Sequence, residues 1–367
     1  MARHSELKLR RALLESPAND AEQVHPDYRV ACADAVHLLR RYRRLMDKFE
    51  SHFEEQGNGD SLKVFAQCER SFKREWNNVC ATANAAARQC LTDTESVMAT
   101  KRFTEAVVTP ELTEAPLWRH AYEKRHGYAP DAQLLTMLFS GARLGQSAYS
   151  RMMHQIALEH PVMTALVARM RSLKKLIAKV VTQQQDKGEV RITSLGCGPA
   201  KEMVSFLMEH EVQSPLKLTL IDRSEEALAA AHLEIGRLRS LWGEKLHIDC
   251  LYLPVDAMIQ DTEVISALAP QHLIYSSGLL DSIGNVPAKA LISRLYGRLN
   301  VNGHMALGAM VAPGRNMWSM EFVLDWSLAY RTAPAMSELT TGLPNAEVTL
   351  ANDENDVAWM LHIKRSQ

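Results

Sequence analysis

At Gln183 the rhythm of the chain changes, and that change constrains the fold more than any other feature of the sequence. Upstream the residues read almost wholly helical; from Glu189 onward, short runs of β-formers alternate with helical stretches. Strands are expected at 190–194, 216–221, 246–253, 272–276 and 304–310, with a helix in each interval. Strict alternation of strand and helix gives a parallel sheet covered on both faces. The end is different. Runs at 347–350 and 357–364 flank Asn352-Asp353-Glu354-Asn355-Asp356, a turn-rich link that makes this last pair an antiparallel hairpin.

A chain of 367 residues is about two domains long, since single cores seldom grow past roughly 250 residues. The change of rhythm divides it into a helical domain over 1–185, expected to act as a lid and to meet substrate, and a sheet domain over 186–367. In the helical part, Leu38, Tyr42, Leu45 and Phe49, with Leu39, Met46 and Phe53, recur at the spacing of one helix face. The same pattern returns over 62–88, and again over 146–184 with a break near Pro161. Arg40-Arg41-Tyr42-Arg43-Arg44 invites a phosphate-binding reading, but Asp34, Asp47 and Glu50 surround it, and a solvated helix face is the simpler account.

Lysine and arginine number 42 against 43 aspartates and glutamates, so no global field favours a nucleic acid or an anionic membrane. The six cysteines show no CxxC pairing, which points to a reduced, cytoplasmic protein with no structural metal. Residues 1–24 are charged throughout, and no run of 18 apolar residues occurs anywhere, so neither an export signal nor a membrane span is expected.

The first strand of the sheet runs into Leu195-Gly196-Cys197-Gly198-Pro199-Ala200. Glycines there permit a tight strand-to-helix turn and let the backbone approach a ligand closely. The dinucleotide version of this turn has a third glycine where this chain has Lys201. S-adenosylmethionine brings no pyrophosphate, so that glycine is dispensable for it. The second strand ends in Ile221-Asp222, followed by Arg223; a carboxylate there can accept both ribose hydroxyls of an adenosine. Asp256 and Ala257, after the third strand, are placed for the adenine amino group, and Ser276, ending the fourth, is placed beside the sulfonium. Alone, each glycine or aspartate is more simply a turn or a cap. In register at successive strand ends, with Gly196, Cys197 and Gly198, they read together as an S-adenosylmethionine site. Five parallel strands closed by a hairpin are also the outline of the α/β, Rossmann-like class I methyltransferase sheet.

Met320-Glu321-Phe322-Val323-Leu324-Asp325-Trp326-Ser327-Leu328-Ala329-Tyr330-Arg331 resembles the "ME..LDW.L.YR" helix of the bacterial 3-hydroxypalmitic acid methyl ester (extracellular factor) biosynthesis methyltransferases. Gly127-Tyr128-Ala129-Pro130-Asp131 is similar to that family's "GY.GD" segment, and Cys197-Gly198-Pro199-Ala200-Lys201-Glu202 to its "CGPA.E" turn. The resemblance spans about 118–335. It implies methyl-ester formation on a 3-hydroxy fatty acid, free or carrier-bound.

Methyl transfer to a carboxylate needs no general base, because the nucleophile is already ionised at neutral pH. It needs alignment and a group that holds one carboxylate oxygen while the other attacks. Tyr128, Tyr330 and Arg331 are the candidates for that role, and Tyr275, Asp131, Asp281 and Glu321 the candidates for contact with the acceptor. An acid at these positions could instead cap a helix or pair with an arginine. His154 and His304 would matter only for a hydroxyl or amine acceptor. Methylation of an oxygen or nitrogen in another secondary-metabolite pathway is the neighbouring alternative, and a non-catalytic S-adenosylmethionine-binding scaffold the distant one. A homodimer is left open.

Overall fold

The computed structural model describes residues 23–56, 61–185, 187–210, 213–260, 262–311, 318–353 and 356–367. Residues 1–22, most of the 1–24 stretch in which no export signal is expected, lie outside them. The described chain forms two compact units that interleave in sequence. One, helical, comprises 23–129, 142–159 and 318–327; the other, built on a sheet, comprises 130–141, 160–311 and 328–367. The expected single break at 185 is therefore not where the contacts divide. The helix Pro161–Gln183 groups with the sheet because Leu173, Ile177, Val180 and Val181 share a core with its strands.

The sheet has seven strands: β1 Val190–Leu195, β2 Leu216–Asp222, β3 Leu246–Tyr252, β4 Gln271–Ser276, β5 Leu299–Met310, β6 Ala346–Asn352 and β7 Ala358–Arg365. Their order is β3-β2-β1-β4-β5-β7-β6. The first five are parallel, and β7 runs antiparallel to both β5 and β6. This is the class I methyltransferase arrangement expected from the sequence. The chain reverses direction of travel between β1 and β4, and in open α/β sheets a ligand crevice opens outside the carboxyl ends of the strands at such a switch point.

Both faces of the sheet are covered, and successive residues of one strand serve opposite cores. Leu273 and Tyr275 face a core shared with the helices Pro161–Gln183, Lys201–Glu209 and Glu225–Arg237. Ile274, between them, faces a second core with Met258, Ile265, Leu291 and Leu295 from the helices on the other side. The strand β5 is longer than expected. It starts at Leu299 and takes up extra residues in a register shift opposite β4, with Asn302 at φ +64°.

In the helical unit, Pro26–Gln56 and Ser61–Gln89 realise the two amphipathic patterns, and Thr94–Val107, Pro116–Glu123 and Ala148–Leu158 complete it. The basic run is paired with acids from neighbouring segments. Arg40 Nε donates to Glu111 at 2.7 Å, Arg41 pairs with Glu75, and Arg43 pairs with Glu114 while lying 4.4 Å over the Tyr149 ring. A phosphate site is not what this run makes. Among the described residues no helix is long and apolar enough to cross a membrane, and all six cysteines are free.

Candidate functional site

The turn after β1 is built as the sequence required. Gly196 and Gly198 sit at φ +58° and +51°, the left-handed region that side chains resist. Gly196 is exposed, and a Cβ built on it would meet nothing within 4 Å. Gly198 is buried, and a Cβ there would lie 3.1 Å from Leu135 Cδ1. The helix Ala132–Ser140, which carries Leu135, thus packs against the glycine turn within the sheet unit.

Asp222 organises the neighbouring strand end. Its carboxylate is 5% exposed, accepting the Gly198 N–H at 2.8 Å on Oδ2 and the Ser224 N–H at 2.9 Å on Oδ1. The Cys197 N–H donates to Ile221 O at 3.1 Å and the Leu253 N–H to Asp222 O at 2.9 Å, so the exits of β1, β2 and β3 are tied in a row. Burial pushes the Asp222 carboxyl upward, and the N–H donors of Gly198, Ser224 and Arg223, with the Arg223 charge, oppose that shift. An ionised carboxylate has about four acceptor sites. The Gly198 and Ser224 N–H groups take one on each oxygen, and the Arg223 N–H also bears on the group.

Around this centre, Cys197 is buried, its thiol driven well up by burial and by the nearby Asp222 and Glu202. Arg223 is exposed at the exit of β2. Asp256, exposed, and Ala257, half-buried, stand in the first turn of Val255–Gln260, just past the end of β3. The Ser276 hydroxyl accepts the Leu279 N–H at 3.1 Å and so fixes the turn leaving β4.

Four of the residues expected to meet the acceptor are engaged elsewhere. Tyr275 is 1% exposed and donates its hydroxyl to Glu202 Oε1 at 2.8 Å; it faces the sheet core, because β4 alternates and Ser276 takes the other side. Asp131 caps the helix Ala132–Ser140, accepting the Leu134 N–H at 2.8 Å. Asp281 is buried between Arg169 Nη1, at 2.7 Å, and the Met310 N–H, at 2.6 Å. Arg331, 1% exposed, donates to Asn285 Oδ1 at 3.0 Å, Ile283 O at 2.6 Å, Ala329 O at 3.1 Å and Leu280 O. Burial depresses its pKa. Such a guanidinium pins loops together.

The segment 320–331 is not one helix. A π-type turn covers Trp318–Val323, Asp325 adopts φ +46°, and 326–330 is irregular. Within the helical unit this stretch is held by Trp318 Nε1 donating to the Tyr28 hydroxyl at 2.8 Å, Thr109 donating to Val323 O at 2.7 Å and Lys124 donating to Leu324 O at 2.9 Å. Glu321 lies there, as does Tyr128, both half-buried; Tyr330, also half-buried, belongs to the sheet unit. His154 is buried and accepts the Leu117 N–H at 3.3 Å, and His304 stacks on His362 with the ring nitrogens 3.0 Å apart.

Sequence reasoning missed Leu135 and Arg169. Arg169 had a readable signal: with Val162, Leu166, Leu173, Ile177 and Val180 it falls on the apolar stripe of its helix, where a charge requires a partner.

No protein-family model matches the chain, and no curated protein matches it. Among solved structures, a possible exported protein from Bordetella parapertussis is similar over 70% of this chain and 85% of its own, at 14% identity and a TM-score of 0.55. Magnesium protoporphyrin IX methyltransferase from Synechocystis, with bound S-adenosylmethionine, matches 56% of this chain and 85% of its own at 12% identity and a TM-score of 0.39. The N-methyltransferase NodS from Bradyrhizobium japonicum, in complex with S-adenosylhomocysteine, matches 54% and 87% at 14% identity and 0.38. The first is a likeness of fold, and the other two are weaker.

Proposed function

We propose that this chain is an S-adenosylmethionine-dependent methyltransferase that forms a methyl ester on a small carboxylic acid, a 3-hydroxy fatty acid or its carrier-bound form. One observation carries the cofactor half of this reading: the Asp222 carboxylate is tied to the glycine turn of β1 and held at the exit of β2. That is the provision a ribose diol needs. Gly196, Cys197, Gly198, Asp222, Arg223, Asp256, Ala257 and Ser276 are the residues that would hold the cofactor. The acceptor class comes from the resemblance of 320–331 and of the glycine turn.

When bound, the cofactor supplies an activated methyl group. The chain's own residues then have three tasks: fix the adenosine, exclude water and aim an ionised carboxylate. The first falls to Asp222 and the glycine turn. Leu135, over Gly198, serves the second. For the third, Tyr330 is a candidate in the sheet unit and Tyr128 in the helical unit, where Glu321 is a candidate for contact with the acceptor. No side chain is needed as a base.

The test is incubation of the full chain with labelled S-adenosylmethionine and a panel of free and carrier-bound hydroxy acids, the products identified by mass. An alkali-labile methyl ester supports the reading. Label on an amine or ether moves the chain to another acceptor class, and cofactor binding with no transfer to any acid returns it to the scaffold alternative.

A further inference from the structure

Arg169 is 2% exposed, and only one of its nitrogens is satisfied. Its Nη1 donates to Asp281 Oδ2 at 2.7 Å and to Ser277 O at 2.9 Å. Asp281 is itself fixed by the Met310 N–H, so the guanidinium plane is set by groups leaving β4 and β5. The opposite edge, with Nε and Nη2, is buried and has no hydrogen-bond partner among the described residues. A buried donor left without an acceptor is costly, so this edge calls for an acceptor that the described residues do not supply.

Three features say what kind. The edge with Nε and Nη2 presents two parallel N–H bonds, the spacing of a carboxylate's two oxygens. Gly308 packs directly against the group: a Cβ there would clash with Ser277 O and stand 3.1 Å from Nε, so β5 carries a glycine where the guanidinium is seated. Ser277, Asp281 and Met310 also place the group at the carboxyl ends of β4 and β5, the edge of the sheet where ligands of such folds bind. We propose that the free edge of Arg169 is a carboxylate-binding fork of the ligand site. The inference rests on the methyltransferase reading, which offers two carboxylates: the one on the methionine half of the cofactor and the one on the acceptor.

The Nε–Hε resonance of Arg169 in the full chain, labelled on arginine and assigned by its loss in Arg169→Lys, reports the fork directly. Lysine keeps a positive charge for Asp281 and deletes the fork. A downfield shift with S-adenosylhomocysteine but not with 5′-methylthioadenosine, which lacks the carboxylate, supports the fork and assigns it to the cofactor. A shift only when acetate in large excess follows saturating S-adenosylhomocysteine supports it and assigns it to the acceptor. In the arm that shifts, Arg169→Lys should weaken binding by about tenfold or more. A resonance that none of the three moves overturns the proposal, leaving water as the occupant. Calorimetry on the same samples separates the failures: S-adenosylhomocysteine bound with Arg169 silent discards the fork and leaves the methyltransferase reading standing.

Discussion

The backbone N–H of Gly198 donates to Oδ2 of Asp222 at 2.8 Å, across 24 residues of sequence. One hydrogen bond therefore couples the shape of the turn after β1 to the position of the acid after β2. Neither could be placed independently of the other, and changes at either residue should be felt at both.

The glycine side is tested by Gly198→Val. The substitution forces a branched side chain to φ +51° and pushes a Cβ to within 3.1 Å of Leu135. A left-handed non-glycine residue costs about 1–2 kcal/mol, so the melting temperature should fall by a few degrees. Stabilisation by added S-adenosylhomocysteine should vanish. Thermal melts with and without ligand check both. Leu135→Ala in the same background should recover part of the stability lost to crowding but none of that lost to backbone strain.

Arg331 should matter to folding rather than to chemistry. It satisfies three carbonyls and Asn285 from a nearly inaccessible position. Arg331→Ala leaves those acceptors buried and unmade, a loss of about 3 kcal/mol or more. Denaturant titration should show the loss, while turnover per folded molecule in a milder variant, Arg331→Lys, should stay close to wild type. A selective fall in turnover at full stability would restore Arg331 to the site.

Acid should weaken the fold through its buried histidines. His304 is held down to about 4 by burial and by the charge of His362, Lys179 and Lys364, and His362 is lowered too. His160, also buried, is held at about 4 by that burial. Unfolded histidines take up protons near 6.5. The unfolded state thus binds more protons between pH 6.5 and about 4, and stability contributed by these groups is present above that window and lost as pH falls through it. Asp222 and Glu202, raised by burial, act in the opposite sense. The informative comparison is between proteins: His304→Phe keeps the stacking on His362 and should flatten the fall in melting temperature across this window.

Much of this was legible because strand and helix periods do not resemble each other. The five parallel strands, the hairpin and the glycine turn stand where alternation and turn chemistry put them. The first part of β5 was hidden by Asn300, Asn302 and Gly303, which read as a turn but form a bulge against Gln271. Segment 320–331 has helical composition, but Asp325 turns left-handed and the stretch divides between the two units. Acceptor residues were the least legible. Tyr275, Asp131, Asp281 and Arg331 have chemically suitable side chains, and only tertiary partners reveal that core, cap and loop already claim them.

The most direct test of the central claim is calorimetric titration of S-adenosylhomocysteine into the full chain and into Asp222→Ala. Charge-assisted hydrogen bonds to the ribose are worth about 1.5–3 kcal/mol, so the account predicts one site in the wild-type chain and an affinity about ten- to a hundredfold lower in the folded variant. Undiminished affinity in a folded Asp222→Ala protein, or no binding to the wild-type chain, would contradict it.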